Sequence, residues 1–169
     1  MNRNLLIIGA GQYGIVAKEI AESMLCFDKI DFLDDKSPLA IGKVDEYQAL
    51  LKNYSCAFMA VGNPMIRSEL FTRFEQAGYV MPPLISPLAF VSGLSKIMNG
   101  AIVEPMAVVQ ANSVVGRGCL VCSGTVIKHN AVLEDFCYID CNAVVMPEAV
   151  VPGGSKVEAN TVFNVINRR

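Results

Sequence analysis

From Ile85 onward an aliphatic residue recurs every six positions: Ile85, Val91, Ile97, Val103, Val109, Val115, Val121, Ile127, Leu133, Ile139, Val145, Val151 and Val157, with Phe163 in the next place. Four residues after each sits a small side chain, from Ala89, Ser95 and Ala101 through Cys119, Thr125, Ala131 and Cys137 to Ser155 and Thr161; only Asn167, at the end of the chain, breaks the register. A period of six fits neither a helix at 3.6 nor a strand at 2. It fits a triangular parallel coil with one short strand per side, in which three hexads make an 18-residue turn. The aliphatic residue fills the interior, the small residue fits near a corner, and turns stack at about 4.8 Å. The fold class expected for residues 85–169 is a left-handed parallel β-helix of hexapeptide repeats.

Residues 1–84 follow another rhythm. Leu5-Leu6-Ile7-Ile8 is an apolar run ending in Gly9-Ala10-Gly11-Gln12-Tyr13-Gly14, and Ile15, Val16, Ile20, Met24 and Leu25 then fall on helical spacing. Strands are expected at 30–33 and 57–61, and helices at 47–51 and 67–76, the second stopped by Gly78. Strand–helix alternation with glycines at strand ends predicts a small Rossmann-like parallel α/β domain. Met81-Pro82-Pro83 marks the junction, so the expected domains are 1–84 and 85–169.

Charge narrows the function. Residues 1–84 carry eight basic and ten acidic groups and residues 85–169 six of each, so no basic face exists for a phosphate backbone and nucleic acid is not an expected partner. No apolar run reaches the 18 residues of a membrane span. The start, Met1-Asn2-Arg3-Asn4, has no secretory cleavage pattern, and the six cysteines are expected to be reduced, so a cytoplasmic chain without membrane insertion is expected.

Three groups of residues carry candidate chemistry. Gly9-x-Gly11-x-x-Gly14 follows a strand and opens a helix, where glycines allow close backbone approach and the helix N-terminus attracts phosphate; the same residues also suit a plain packing turn. With 84 residues before the repeats, a mononucleotide fits better than a dinucleotide. Cys119-x2-Cys122-x14-Cys137-x3-Cys141 has the look of a zinc ribbon. The hexad phase explains it differently: Cys119 and Cys137 occupy the inward small position one turn apart and pack as small hydrophobes, Cys122 and Cys141 face elsewhere, and no metal is expected. His129, the one histidine of the chain, sits at neither inward position of its hexad and therefore projects from the coil, as a solvated side chain or as a base.

An α/β domain followed directly by hexapeptide repeats resembles the sugar O-acyltransferases of the sialic acid O-acetyltransferase type, a group that includes bacterial enzymes N-acetylating nucleotide-linked amino sugars. The stretches carrying the resemblance are Ile8-Gly9-Ala10-Gly11-Gln12-Tyr13-Gly14, Phe32-Leu33-Asp34-Asp35, Ala60 to Arg67, and Ser123 to Asn130. The resemblance implies a homotrimer with acetyl-CoA held between neighbouring coils as co-substrate. It implies a nucleotide-sugar acceptor held by Gly9, Gly11, Gln12, Tyr13, Gly14, Asp34, Asp35, Lys36, Gly62, Asn63 and Arg67. It places His129 on the general base, with Asn130 where the family carries an acid, and it implies acetyl-CoA contacts at Tyr138, Asn142 and Met146. Tyr138 stands where the family has a second histidine, Met146-Pro147-Glu148 where it has a small glycine-containing turn, and Ser86-Pro87 where it has His-Pro. The coil ends at Arg169, at least a turn earlier than is usual in the family. An 18-residue turn puts Glu148 over position 130, so its carboxylate either returns to His129 as a partner or is a solvated corner residue. The expected activity is acetyl-CoA-dependent transfer of an acetyl group to a sugar used in surface glycan synthesis. The alternative is a catalytically degenerate relative, a nucleotide-binding or structural trimer.

Overall fold

A computed structural model describes residues 2–165. Four parallel strands, β1 (Asn4–Ile8), β2 (Lys29–Leu33), β3 (Ala40–Gly42) and β4 (Cys56–Met59), lie in the order β3-β2-β1-β4. Helix α1 (Gln12–Ser23) joins β1 to β2, a short helix α2 (Tyr47–Leu50) precedes β4, and α3 (Pro64–Gln76) follows it. The apolar run 5–8 is buried on both faces, as a central parallel strand requires. Helix α3 starts three residues before the expected position. Pro64 stands in its first turn, where the missing N–H costs nothing, and the Asn63 side chain accepts from the N–H groups of Met65 and Ile66. The sequence reading missed β3, a three-residue edge strand with no alternating pattern to announce it.

From β5 (Leu84–Ile85) to β18 (Val162–Phe163) the chain is a series of two-residue strands, each paired in parallel with the strand 18 residues on, as Val114 with Val132 and Val115 with Leu133. They stack into three sheets, which begin at Leu84–Ile85, Phe90–Val91 and Lys96–Ile97 and each gain a strand every 18 residues. This is the architecture of a left-handed β-helix. The inward aliphatics and small residues predicted from the hexad form one continuous core, including the fully buried Cys119 and Cys137. Their thiols reach the carbonyls of Glu134 and Pro152 at 3.0 and 3.2 Å.

A second register of period six appears at the corners. Gly100, Met106, Asn112, Gly118, Gly124, Asn130, Phe136, Asn142, Glu148, Gly154 and Asn160 all have φ between 58° and 72°. Glycine and asparagine take this left-handed conformation readily, whereas Met106, Phe136 and Glu148 occupy it at a cost.

The α/β layer packs on the outer face of the first sheet. Leu84, Ile102 and Leu120 share a core with Ala17, Ile20 and Ala21 of α1, and Phe71 of α3 meets Phe136 edge-on at 5.6 Å. The outer faces of the other sheets stay open to solvent. On the second, Phe90, Val108, Val126, Val144 and Val162 form an apolar ladder, with Phe90 and Val162 62% and 66% exposed.

Candidate active site

His129 lies at the corner between the second and third sheets, exposed as its hexad position predicted. Three contacts fix it. Its backbone N–H donates to Gln110 Oε1 at 3.1 Å, its carbonyl accepts from the Glu148 N–H at 3.3 Å, and the Asn130 side-chain amide lies 3.0 Å from its Nδ1. Glu148 does sit one turn from Asn130, as the arithmetic predicted, but in this chain its carboxyl makes no hydrogen bond to the ring; the partner at Nδ1 is Asn130. Met146 shares this corner. Tyr138 and Asn142 do not: Tyr138 packs among the residues between α1 and the coil, and Asn142, with φ 58°, forms the corner between the first and second sheets. One chain therefore does not bring the three expected acetyl-CoA contacts together.

In the α/β layer the glycine turn has the expected form. Gly9 has φ 101°, and a Cβ there would lie 2.9 Å from the Ala60 carbonyl; a Cβ on Gly14 would lie 2.1 Å from the Gly9 carbonyl. Only glycine permits this packing of α1 on β1 and β4. Gly11 caps α1 with no side-chain hydrogen bond, open space lies around it, and Gln12 beside it is exposed. The turn after β1 and the Gly62-Asn63 turn after β4 flank the point where strand order reverses, the place where open α/β sheets take ligands.

Four expected nucleotide contacts have other work. Asp34 accepts from the N–H groups of Ala10, Lys36 and Ser37 at 2.8–2.9 Å, which holds its pKa below the usual carboxylate range, the Ala10 contact most of all. It ties the glycine turn to the loop after β2. Asn63 spends its side-chain oxygen on capping α3. Arg67 is fully buried and contacts no ligand surface. Its guanidinium donates to the carbonyls of Val61, Gly62, Gly118 and Phe136 at 2.7–2.8 Å and of Cys137 at 3.5 Å, using all five N–H groups to bind the α/β layer to the coil. Tyr13 also turns away from the glycine turn. Its hydroxyl is buried without a hydrogen-bond partner, and burial, with the Glu104 carboxyl beside it second, pushes its pKa well above the usual tyrosine range. Asp35 and Lys36 stay exposed at the mouth of the crevice.

The sequence reading missed two features at the corner between the first and second sheets. A groove of about 540 Å³ runs between α1 and the coil, bounded by Ile20, Ser23, Ser86, Pro87, Pro105 and Ser123. Beside it Glu104, 6% exposed, accepts from the N–H and Oγ of Ser123 at 3.0 and 2.9 Å. Glu104 stands at neither inward position of its hexad, so no signal in the sequence announced its burial.

Comparison with known proteins fits this geometry. The family model described as the PglD N-terminal domain matches residues 4–74. The acetyltransferase domain of PglB from Neisseria gonorrhoeae FA1090, in complex with acetyl coenzyme A, is 30% identical with a TM-score of 0.92, over 96% of this chain and 82% of that one. A mutant perosamine N-acetyltransferase from Caulobacter crescentus, in complex with CoA and GDP-perosamine, shares the fold at 19% identity with a TM-score of 0.85, over 96% and 89%. WeeI from Acinetobacter baumannii AYE is more distant, at 15% identity and a TM-score of 0.61, over 94% and 93%. No curated protein matches the chain. The likeness to the PglB acetyltransferase domain runs over nearly the whole chain, α/β layer and coil together, and the chain belongs to the hexapeptide-repeat sugar acetyltransferases.

Proposed function

We propose that the protein transfers the acetyl group of acetyl-CoA to a hydroxyl or amino group of a nucleotide-linked sugar, with His129 as general base. The observation that carries this reading is the seating of His129: exposed, held through both its backbone groups, and with an amide at Nδ1. Rotating the Asn130 amide by a half-turn puts its oxygen at this contact, where Nδ1–H donates to it and the lone pair of Nε2 is left for the acceptor. Nε2 takes the proton as the acceptor oxygen or nitrogen attacks the thioester carbonyl. The tetrahedral intermediate then collapses, the C–S bond breaks, and His129 returns the proton to the sulfur. A neutral amide orients the ring without the charge that a carboxylate would add to the imidazolium.

The crevice beside Gly9, Gly11 and Gln12 suits the phosphates of a nucleotide, because α1 begins there with uncapped N–H groups and Asp34 holds the turn in shape. Asp35, Lys36 and Gly62 line the remainder. Tyr138, Asn142 and Met146 remain the proposed acetyl-CoA contacts; since they lie at two corners of one coil, they and His129 form a single site between neighbouring copies. The apolar ladder Phe90-Val108-Val126-Val144-Val162 supports a trimer, since a solvent-facing row of this kind along a whole sheet suits a partner surface.

Calorimetric titration with acetyl-CoA and with a nucleotide amino sugar, followed by a coupled assay of free CoA, tests the reading. The expected result is binding of both, with turnover reduced about 10²–10⁴-fold in His129→Ala. Binding of neither, or turnover unchanged in His129→Ala, overturns it. Nucleotide binding without acetyl transfer is the outcome of a degenerate relative.

A further inference from the structure

Coil stacking brings together three side chains that are separated in the hexad pattern. Cys122 N–H donates to the Ile139 carbonyl, so residue 140 lies one turn from Cys122, and Cys141 follows it. The Sγ atoms of Cys122 and Cys141 and a carboxyl oxygen of Asp140 lie within 4.8 Å of one another. Both cysteines are free; Cys122 is buried and Cys141 half-buried. We propose that Cys122, Asp140 and Cys141 bind a thiophilic divalent cation of the zinc type.

Ligand chemistry and spacing agree. Two sulfurs and one carboxyl oxygen suit zinc, and sulfurs at about 2.3 Å from a tetrahedral ion lie about 3.8 Å apart. The side chains therefore need to close by about 1 Å at most, a rotamer adjustment. Asp140 is already oriented, because one of its oxygens accepts from the Cys141 N–H at 2.8 Å. Its other oxygen meets Lys156 at 3.2 Å, but Lys156 has a shorter partner in Glu158 at 2.6 Å, so a cation at Asp140 leaves no ammonium group unpaired.

Two further groups at the corner fit a cation. Glu104 is buried, and among the described residues it pairs with no cationic side chain; a divalent ion beside it offsets its charge. The Tyr13 hydroxyl is buried beside the Glu104 carboxyl. When the ion binds, each thiol gives its proton to water, two metal–sulfur bonds form, and no electron changes hands. Cys122 and Cys141 then become thiolates bound to the ion. Water takes the fourth position.

The proposal does not depend on the acetyltransferase reading, and its test uses the metal alone. Full-length protein stripped with a chelator is titrated with Cd(II), reading the ultraviolet sulfur-to-cadmium charge-transfer band, and then with Zn(II) in competition. The expected result is one saturable site per chain, displaced by Zn(II). Cys141→Ser weakens binding by about tenfold or more and halves the band, while Cys26→Ser, far along the chain and outside the cluster, changes neither. Cys141 is half-buried and its Asp140 contact runs through the backbone, so the serine variant keeps the fold, which circular dichroism verifies. Absence of a saturable site in the parent protein, or equal binding in Cys141→Ser, overturns the proposal.

Discussion

Arg67 offers the sharpest test of how the two parts of the molecule are joined. A fully buried guanidinium in a chain of this size is either paired or a liability; here it is satisfied by five carbonyl groups from three segments distant in sequence. Cys137 O has a second donor in the Leu120 N–H, but the carbonyls of Val61, Gly62, Gly118 and Phe136 have Arg67 alone. Arg67→Met fills much of the volume and removes every donor. Val61 and Gly62 lie at the surface and can turn to water, which leaves the two coil carbonyls to carry the penalty. At roughly 1–3 kcal/mol for each buried unsatisfied group, less what is regained by no longer burying a charge, the net loss is about 2–5 kcal/mol. That is a third or more of a typical domain's stability and lowers Tm by about 5–15 °C. Arg67→Lys falls between, since one ammonium cannot reach all three segments. The assay is thermal and urea unfolding followed by circular dichroism, with nucleotide binding measured on the folded fraction. Were Arg67 a phosphate ligand, as the sequence led us to expect, Arg67→Met would weaken nucleotide binding and leave Tm within about 2 °C of the parent; that result would refute the clamp.

Other consequences are as direct. Met106 holds φ at 64° with its side chain 71% exposed, so Met106→Asn, which relieves the left-handed strain and sacrifices no packing, is expected to raise stability by about 1 kcal/mol in urea unfolding. Val126→Lys puts a charge in the middle of the apolar ladder and is expected to give a folded monomer in sedimentation equilibrium; an unchanged assembly would move the interface elsewhere. Asp34 has a lowered pKa, so what it adds to stability is present above about pH 4 and lost as pH falls through its value in the folded protein. The Tm gap between parent and Asp34→Asn is therefore expected to be open at neutral pH and to close in acid.

An aliphatic residue every six positions dictates which side chains point inward, and three such hexads per turn dictate which residues stack. That much was readable, and so was the exposure of His129. The corner register at 100, 106, 112 and onward was not, because glycine, asparagine, methionine, phenylalanine and glutamate share no chemistry; what they share is a backbone angle. Arg67 misled for a related reason. The resemblance alone set it among the nucleotide-sugar contacts, and only the docking of α3 against the coil shows its guanidinium spent on carbonyls of the coil. Cys122 and Cys141 were separated by hexad phase and reunited by stacking, since the residue after the one that lies over 122 is 141. Glu148 shows the converse: stacking brings the right residue to the right turn, and rotamer and hydrogen bonding then decide against the contact.

Coil arithmetic also bears on how the proposed site is completed. Tyr138 lies on the first sheet and Asn142 at the corner that follows it, and His129 lies at the next corner, six residues further along each turn. Six residues of extended chain span about 20 Å, whereas reacting atoms must approach to about 3–3.5 Å. Groups at different corners of one coil cannot share a reacting centre, but corners of two adjacent coils can. Complementation follows. Take His129→Ala, and separately a Tyr138→Phe, Asn142→Gly double variant, in which glycine keeps the left-handed corner. Each alone is expected to transfer acetyl groups poorly. Unfolded together in equal amounts and refolded into the proposed trimer, they are expected to give a population in which, over all trimers, about one site in four pairs an intact His129 corner with an intact Tyr138–Asn142 pair of its neighbour. Activity is then expected to return to about a quarter of the parent value, and to stay at the level of the single preparations when the two are refolded apart and then mixed. If both halves of the site came from one chain, no mixed trimer would contain a whole site and refolding together would restore nothing.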